Sequence, residues 1–153
     1  MPKVAVSWTK EADQDLGLPK FETDGAAGAD LRANFSTEIR SSGLSLAPLK
    51  RELIPTGLCF EIPSGVEGQL RPRSGIALKH GLTLLNSPGT IDSDYRGELK
   101  IILFNHGSKK FIINNNDRVA QMVLTPIIKM ELEETNELPE SIRGKGGFGS
   151  TGK

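Results

Sequence analysis

Two carboxylates, Asp92 and Asp94, stand two positions apart in the segment Asn86-Ser87-Pro88-Gly89-Thr90-Ile91-Asp92-Ser93-Asp94-Tyr95-Arg96-Gly97, with a tyrosine directly after them. On a strand or tight hairpin such a pair shares one face. It then suits one of two tasks, holding a metal ion or orienting a water. One carboxylate within hydrogen-bond reach of a water is enough for general-base catalysis. The same pair also suits an Asx-type turn in which both side chains bond the local backbone, and the segment alone leaves both readings open. Asn86 carries amide donor and acceptor groups, which read a base edge in one role and brace the Ser-Pro turn in the other.

Four more pieces carry groups that suit an anion or a close approach. Arg71-Pro72-Arg73-Ser74-Gly75 puts two guanidinium groups and a hydroxyl ahead of a short helix. Free N–H groups at a helix start and arginine donors favour phosphate or carboxylate; an ion-pair strand ending at a capped helix is the plainer alternative. Residues 143–153 hold five glycines, three cations, two hydroxyls and the lone aromatic Phe148. Glycines let successive backbone N–H groups face one concavity. Arg143, Ser150 and Thr151 suit phosphate oxygens, and Phe148 offers a flat face to a base. Read by itself, the same stretch is more simply a flexible polar tail. Ala27-Gly28-Ala29-Asp30-Leu31-Arg32-Ala33 sets one carboxylate among small residues, and Asp117-Arg118-Val119-Ala120-Gln121-Met122 sets Gln121 on an otherwise apolar strand.

Some chemistries are disfavoured. His80 and His106 have no companion at metal-ligand spacing, Cys59 is the one cysteine, and no Gly-x-x-x-x-Gly-Lys loop occurs. Direct zinc chemistry and P-loop chemistry lose their ligands.

Rigid elements must hold these pieces in place. Period-two alternation and dense β-formers predict strands at 3–8, 57–62, 67–71, 98–104, 110–113 and 118–125. Close-set turns such as Pro63-Ser64-Gly65 and Asn114-Asn115-Asn116-Asp117 point to a sandwich, jelly roll or small barrel. The one helix, 74–79, starts at Ser74 as a cap and ends at His80-Gly81. We expect an all-β domain over 1–128, a Glu-rich linker over 129–142 and a glycine-rich flap over 143–153. A chain of 153 residues is long enough for one real core. Its 19 basic residues balance 19 acidic ones, so an anion site must be local, and a general nucleic-acid surface is not expected. Cys59 lies in an apolar run and reads as a small buried hydrophobe in a reducing compartment. No apolar stretch matches a membrane span or a signal-peptide core, so a cytoplasmic protein without a membrane partner is expected.

In order and spacing, AGADLRA (27–33), PRSGIALKHG (72–81), NSPGTIDSDYRGE (86–98), RVAQMVL (118–124) and RGKGGFGSTG (143–152) closely resemble the five motifs of the trimeric dUTP diphosphatases. That resemblance implies a distorted jelly roll of the β-clip, dUTPase-like kind, with one short helix and a C-terminal glycine-rich arm. It further implies a threefold homotrimer whose sites draw motifs from different subunits. The implied reaction is Mg²⁺-assisted hydrolysis of dUTP to dUMP and pyrophosphate, which limits uracil in DNA and supplies dUMP for dTMP synthesis.

The roles follow motif by motif. Asp92 falls where the family's water-activating carboxylate lies, and the water attacks the α-phosphorus in line, helped chiefly by positioning and charge stabilisation. Arg73, Ser74 and Gly75 match the phosphate-chain motif, Gln121 another phosphate contact, and Arg143 the clamp on the γ-phosphate, with Gly149, Ser150 and Thr151 beside it. Uracil is implied to meet Asn86 and backbone groups of Gly89, Thr90, Ile91, Asp92, Leu99 and Lys100, in a space too narrow for a 5-methyl group. Tyr95 matches the ring that packs on deoxyribose and leaves no room for a 2′-hydroxyl, and Phe148 covers the base. Asp30 matches a carboxylate that reaches Mg²⁺ through water, the ion being held mainly by the triphosphate. A dCTP deaminase and a catalytically silent binding protein on the same scaffold are the rivals. The intact GTIDSDYRG and RGKGGFGSTG segments favour hydrolysis.

Overall fold

The computed structural model of the chain describes residues 2–148. In chain order these form β1 (Ala5–Trp8), a 3₁₀ turn (Gln14–Leu16), β2 (Ala29–Arg32), β3 (Leu44–Leu46), β4 (Arg51–Glu61) and β5 (Val66–Arg71). The helix α1 (Ser74–His80) follows, then β6 (Leu82–Leu84), β7 (Gly89–Ile91), β8 (Glu98–Asn105), β9 (Phe111–Ile113) and β10 (Arg118–Pro126). This is the expected all-β domain with one short α-helix.

The strands make two four-stranded antiparallel sheets, β1-β4-β8-β6 and β2-β10-β5-β7, and a β3-β9 ribbon. Alternation explains which residues meet between them. Along β8, Leu99, Ile101, Leu103 and Asn105 are buried while Lys100 faces out and Ile102 and Phe104 are half-buried. From the second sheet, Leu31, Ala120, Met122 and Leu70 turn to the same core, joined by Phe35, Leu46 and Ile113. Each fully buried Leu, Ile or Phe contributes about 1.5–3 kcal/mol relative to exposure, so the core holds both sheets in fixed register. Asn105 is the polar exception at 0% exposure; its amide donates to Leu46 and Lys109 carbonyls and its Oδ1 accepts from Gly107 N–H.

Several details depart from the sequence reading. β4 begins at Arg51 rather than 57, because Pro55 sits at an irregularity in the β4–β8 pairing and does not end the strand. The short strands β2, β3, β6 and β7, of three or four residues, are too brief to show a period. The helix cap is Arg73 in extended conformation, with Ser74 already helical, and no side chain caps it. Gly81 closes the helix in the left-handed region, φ 70°, as a C-terminal glycine should. Cys59 is half-buried, because it lies on the side of β4 away from Leu58 and Phe60.

Gly57 has φ +69°, and a Cβ there would lie 2.7 Å from Ala12 Cβ and 2.9 Å from Asn34 Nδ2. Both the dihedral and the contacts oppose any side chain. Gly57→Ala is expected to lower the unfolding free energy by about 3 kcal/mol, read from urea unfolding. A change within error would mean that the strand relaxes around the methyl group.

After β10, residues 127–148 add neither strand nor helix. Ile127 is half-buried, while Ile128, Met130, Leu132, Leu138, Ile142 and Phe148 are exposed. Among the described residues no helix is long and apolar enough to cross a membrane.

Candidate active site

The segment that carries Asp92 links two strands that do not pair with each other. β7 pairs with β5, matching Gly89 to Leu70 and Thr90 to Gln69, whereas β8 lies between β4 and β6 in the other sheet. The two arms therefore part. A cleft of about 390 Å³ opens, lined by Thr90, Ile91 and Asp92 from one arm, Glu98, Leu99 and Lys100 from the other, and by Tyr95 and Leu53. Among the described residues β7 is the edge of its sheet, and its backbone groups on the side away from β5 have no ladder partner there.

The connecting turn is held by its own bonds. Tyr95 N–H donates to Asp92 C=O at 3.2 Å, Tyr95 Oη donates to Glu98 C=O at 3.0 Å, and Arg96 Nη1 donates to Ser93 C=O at 2.7 Å. The Tyr95 ring lies over Gly97, where a Cβ would collide with it. Asp92 and Asp94 are both exposed, and they lie in the turn rather than on a strand. Asp92 lines the cleft and Asp94 does not. Asn86 sits beside the start of β7: a Cβ on Gly89 would be 2.9 Å from Asn86 Nδ2.

A second cluster spans β2, β10 and β5. Register places Gln121 opposite Asp30 on one side and Arg71 on the other, so the three side chains share one face. Asp30 is 8% exposed and both its oxygens accept from arginines, Oδ1 from Arg73 Nε at 2.9 Å and Oδ2 from Arg118 Nη1 at 3.1 Å. Arg118 also meets Glu22 at 3.1 Å, and Arg73 Nη1 donates to Arg118 C=O at 3.3 Å. Carboxylates held this way fix a guanidinium while leaving its other N–H groups for a ligand. Gln121 Nε2 donates to Pro72 C=O at 3.0 Å, and its Oε1 would be 2.6 Å from a Cβ on Gly28. Gly28 is therefore the gap into which the Gln121 amide fits.

The candidate residues thus fall into separate groups. Thr90, Ile91, Asp92, Tyr95 and Lys100 line one cleft, with Gly89 and Asn86 at the start of its β7 arm. Arg73, Asp30 and Gln121 form the second cluster, and Asp30 meets arginines there. Ser74 and Gly75 are the exposed first residues of α1. Arg143 bonds within its own arm, Nε to Gly146 C=O at 2.8 Å, and Phe148 is fully exposed. Gly149, Ser150 and Thr151 lie outside the described residues.

Sequence reasoning missed Arg118, Glu98 and Leu53. Arg118 and Glu98 stood inside segments already singled out, where charge alone marked them as partners to seek. Leu53 had no signal: it is a leucine in an unrecognised half-strand, 53% exposed, beside the cleft only because β4 lies next to β8.

The sequence matches the dUTPase family over residues 14–152. It is 55% identical over 139 residues to a deoxyuridine 5'-triphosphate nucleotidohydrolase of Rhizobium johnstonii, spanning 91% of this chain and 87% of that one. It is 52% identical over 142 residues to the deoxyuridine 5'-triphosphate nucleotidohydrolase of Dinoroseobacter shibae, spanning 93% and 92%. Among solved structures, the dUTPase of Staphylococcus bacteriophage 80alpha with dUPNHPP superposes with a TM-score of 0.82 at 26% identity, over 99% of each chain.

Proposed function

The chain belongs to the dUTPase family, and from that premise we propose that it hydrolyses dUTP to dUMP and pyrophosphate at the cleft between β7 and β8. The observation that carries this reading is the parted hairpin. It brings Thr90, Ile91 and Asp92 from one arm, Leu99 and Lys100 from the other, and Tyr95 around one cavity.

Uracil enters between the arms and is read by backbone donors and acceptors, with Asn86 beside them. A base with the complementary edge reversed leaves buried groups unpaired, a larger penalty than a lost contact. The Tyr95 ring, pinned by its bond to Glu98 C=O, packs on the deoxyribose. Asp92, exposed to water, accepts the proton of the water that attacks the α-phosphorus. The phosphate chain takes its donors from Arg73, Ser74, Gly75 and Gln121. Arg143, Gly149, Ser150 and Thr151 close over it, with Phe148 on the base. In this division 1–128 is the body, 129–142 the linker and 143–153 the flap, and the work is done in the cytoplasm.

Asp30, whose two oxygens accept from Arg73 and Arg118, is the carboxylate that suits a water-mediated contact to Mg²⁺. No group of three or more His, Cys, Asp or Glu side chains among the described residues is placed to hold an ion. An ion held mainly by triphosphate oxygens would be reached by Asp30 through a water, and would neutralise phosphate charge. None of Arg73, Gln121 and Arg143 lines the base cleft, which supports a homotrimer whose complete sites draw on more than one subunit.

Pyrophosphate release from dUTP, dCTP, dTTP and UTP, with Mg²⁺ and with excess chelator, tests the reading. Release from dUTP alone, lost on chelation, is expected. Ammonia from dCTP would mark a deaminase instead, and silence on all four would leave a binding protein. For Gly28→Ala the methyl group displaces the Gln121 amide while the strands stay paired. The expected result is a kcat/KM for dUTP lowered about tenfold with the thermal midpoint little changed; unaltered kinetics would take Gln121 out of the phosphate site.

A further inference from the structure

One wall of the cleft is shaped by side chains in place of the ordinary ladder. β4 and β8 pair from Arg51 opposite Phe104 to Pro55 opposite Lys100, then resume at Cys59 opposite Glu98. Thr56, Gly57 and Leu58 therefore stand against Leu99 alone. Pro55 has no N–H to give, and a bulge of this size removes further backbone bonds. On the other side of β8, β6 pairs only as far as Leu84 opposite Leu103, with one more bond from Leu85 N–H to Ile102 C=O. Among the described strands, residues 98–100 are thus held from the β4 side only, through the bulge.

Two side chains supply that hold. Thr56, 1% exposed, donates from Oγ1 to Leu99 C=O at 2.6 Å and accepts from Leu58 N–H at 3.4 Å. Glu98 reaches back across the strands, accepting through Oε1 from Gly57 N–H at 2.9 Å, while its Oε2 lies 3.3 Å from Lys100 Nζ. The Gly57 carbonyl is tied in turn by Thr9 N–H at 2.9 Å. Glu98, Leu99 and Lys100 all line the cleft.

We propose that Thr56 and Glu98 are positioning residues for base recognition, setting the direction of the Leu99 and Lys100 backbone that faces the base; this rests on the dUTP-hydrolysing reading of the cleft. A buried carbonyl that loses its donor must turn to find another. Here that turn would carry the recognition edge with it. Neither side chain touches the reacting phosphate, so the effect falls on binding and base choice rather than on the chemical step.

The test compares wild type, Thr56→Val, Thr56→Ser and Glu98→Ala in steady-state hydrolysis of dUTP, in titration with dUMP, and in thermal unfolding. Thr56→Val keeps volume and removes the hydroxyl; it is expected to raise KM for dUTP about tenfold and to weaken dUMP by a similar factor, with kcat within about threefold. Thr56→Ser restores the donor and is expected to return KM to within about threefold of wild type. Glu98→Ala removes the acceptor for Gly57 N–H; it lies on the accessible wall of the cleft and is expected to fold, with KM raised about threefold. A Thr56→Val protein with a lowered midpoint but wild-type KM and dUMP affinity would make the hydroxyl structural only and overturn the proposal. If Thr56→Val does not fold, an unchanged KM in Glu98→Ala overturns it equally. Wild type that acts on dUTP while its variants keep KM sinks this inference alone, whereas wild type silent on dUTP sinks the cleft reading and the inference with it.

Discussion

Replacing Asp92 with asparagine is expected to lower kcat for dUTP by about a thousandfold, within the range for loss of a general base, while affinity for a non-hydrolysable imido analogue changes by less than about threefold. The reasoning is local. Asp92 closes β7 and opens the 92–95 turn through its backbone carbonyl, which accepts from Tyr95 N–H. An amide side chain leaves that bond in place and has nearly the same volume, and the exposed position imposes no packing penalty. What it cannot do is take a proton from water. Turnover and titration separate the outcomes. Turnover close to wild type would remove Asp92 from the mechanism, and loss of analogue affinity in step with kcat would assign it to binding.

Truncation after Ile142 is the second large effect. Loss of residues 143–153 is expected to cut kcat/KM by at least about a hundredfold, the scale for deleting charge-stabilising donors at a reacting phosphate. The thermal midpoint should move by less than about 2 °C, since removal of segments without core contacts leaves the unfolding entropy and enthalpy nearly intact. Phe148 is fully exposed and Arg143 bonds only to Gly146 among the described residues, so no core is lost with them. A midpoint that collapses would make the arm structural. Addition of the separate 143–153 peptide to the truncated protein gives a further readout, because recovered turnover would show that the arm acts as a lid.

The two predictions draw on different kinds of information. Asp92 was visible in the sequence as a carboxylate in a turn-rich segment, and its alternation with Asp94 suggested a shared strand face. The fold instead puts both in a turn and only Asp92 on the cleft, because β7 ends at Ile91 to cross from one sheet to the other. Arg73 was visible as one of two arginines ahead of a helix. Its direction was not, since that depends on Asp30, which lies 43 positions away along the chain. The strand reading begins at Gly57, whereas β4 runs from Arg51 through Pro55, past a bulge at Thr56 and Gly57 that no local pattern marks.

The residues themselves determined the all-β class, the single short helix, the local character of any anion site and the five segments that carry chemistry. These depend on period-two alternation, turn chemistry and residue type, which act over a few neighbours. Only the tertiary structure decided that β7 and β8 belong to different sheets and leave a cleft between them, that Asp30 holds Arg73, and that Thr56 replaces a missing ladder bond to Leu99. Those are pairings between distant parts of the chain. They are set by which buried faces can share one core, and no local pattern records that choice.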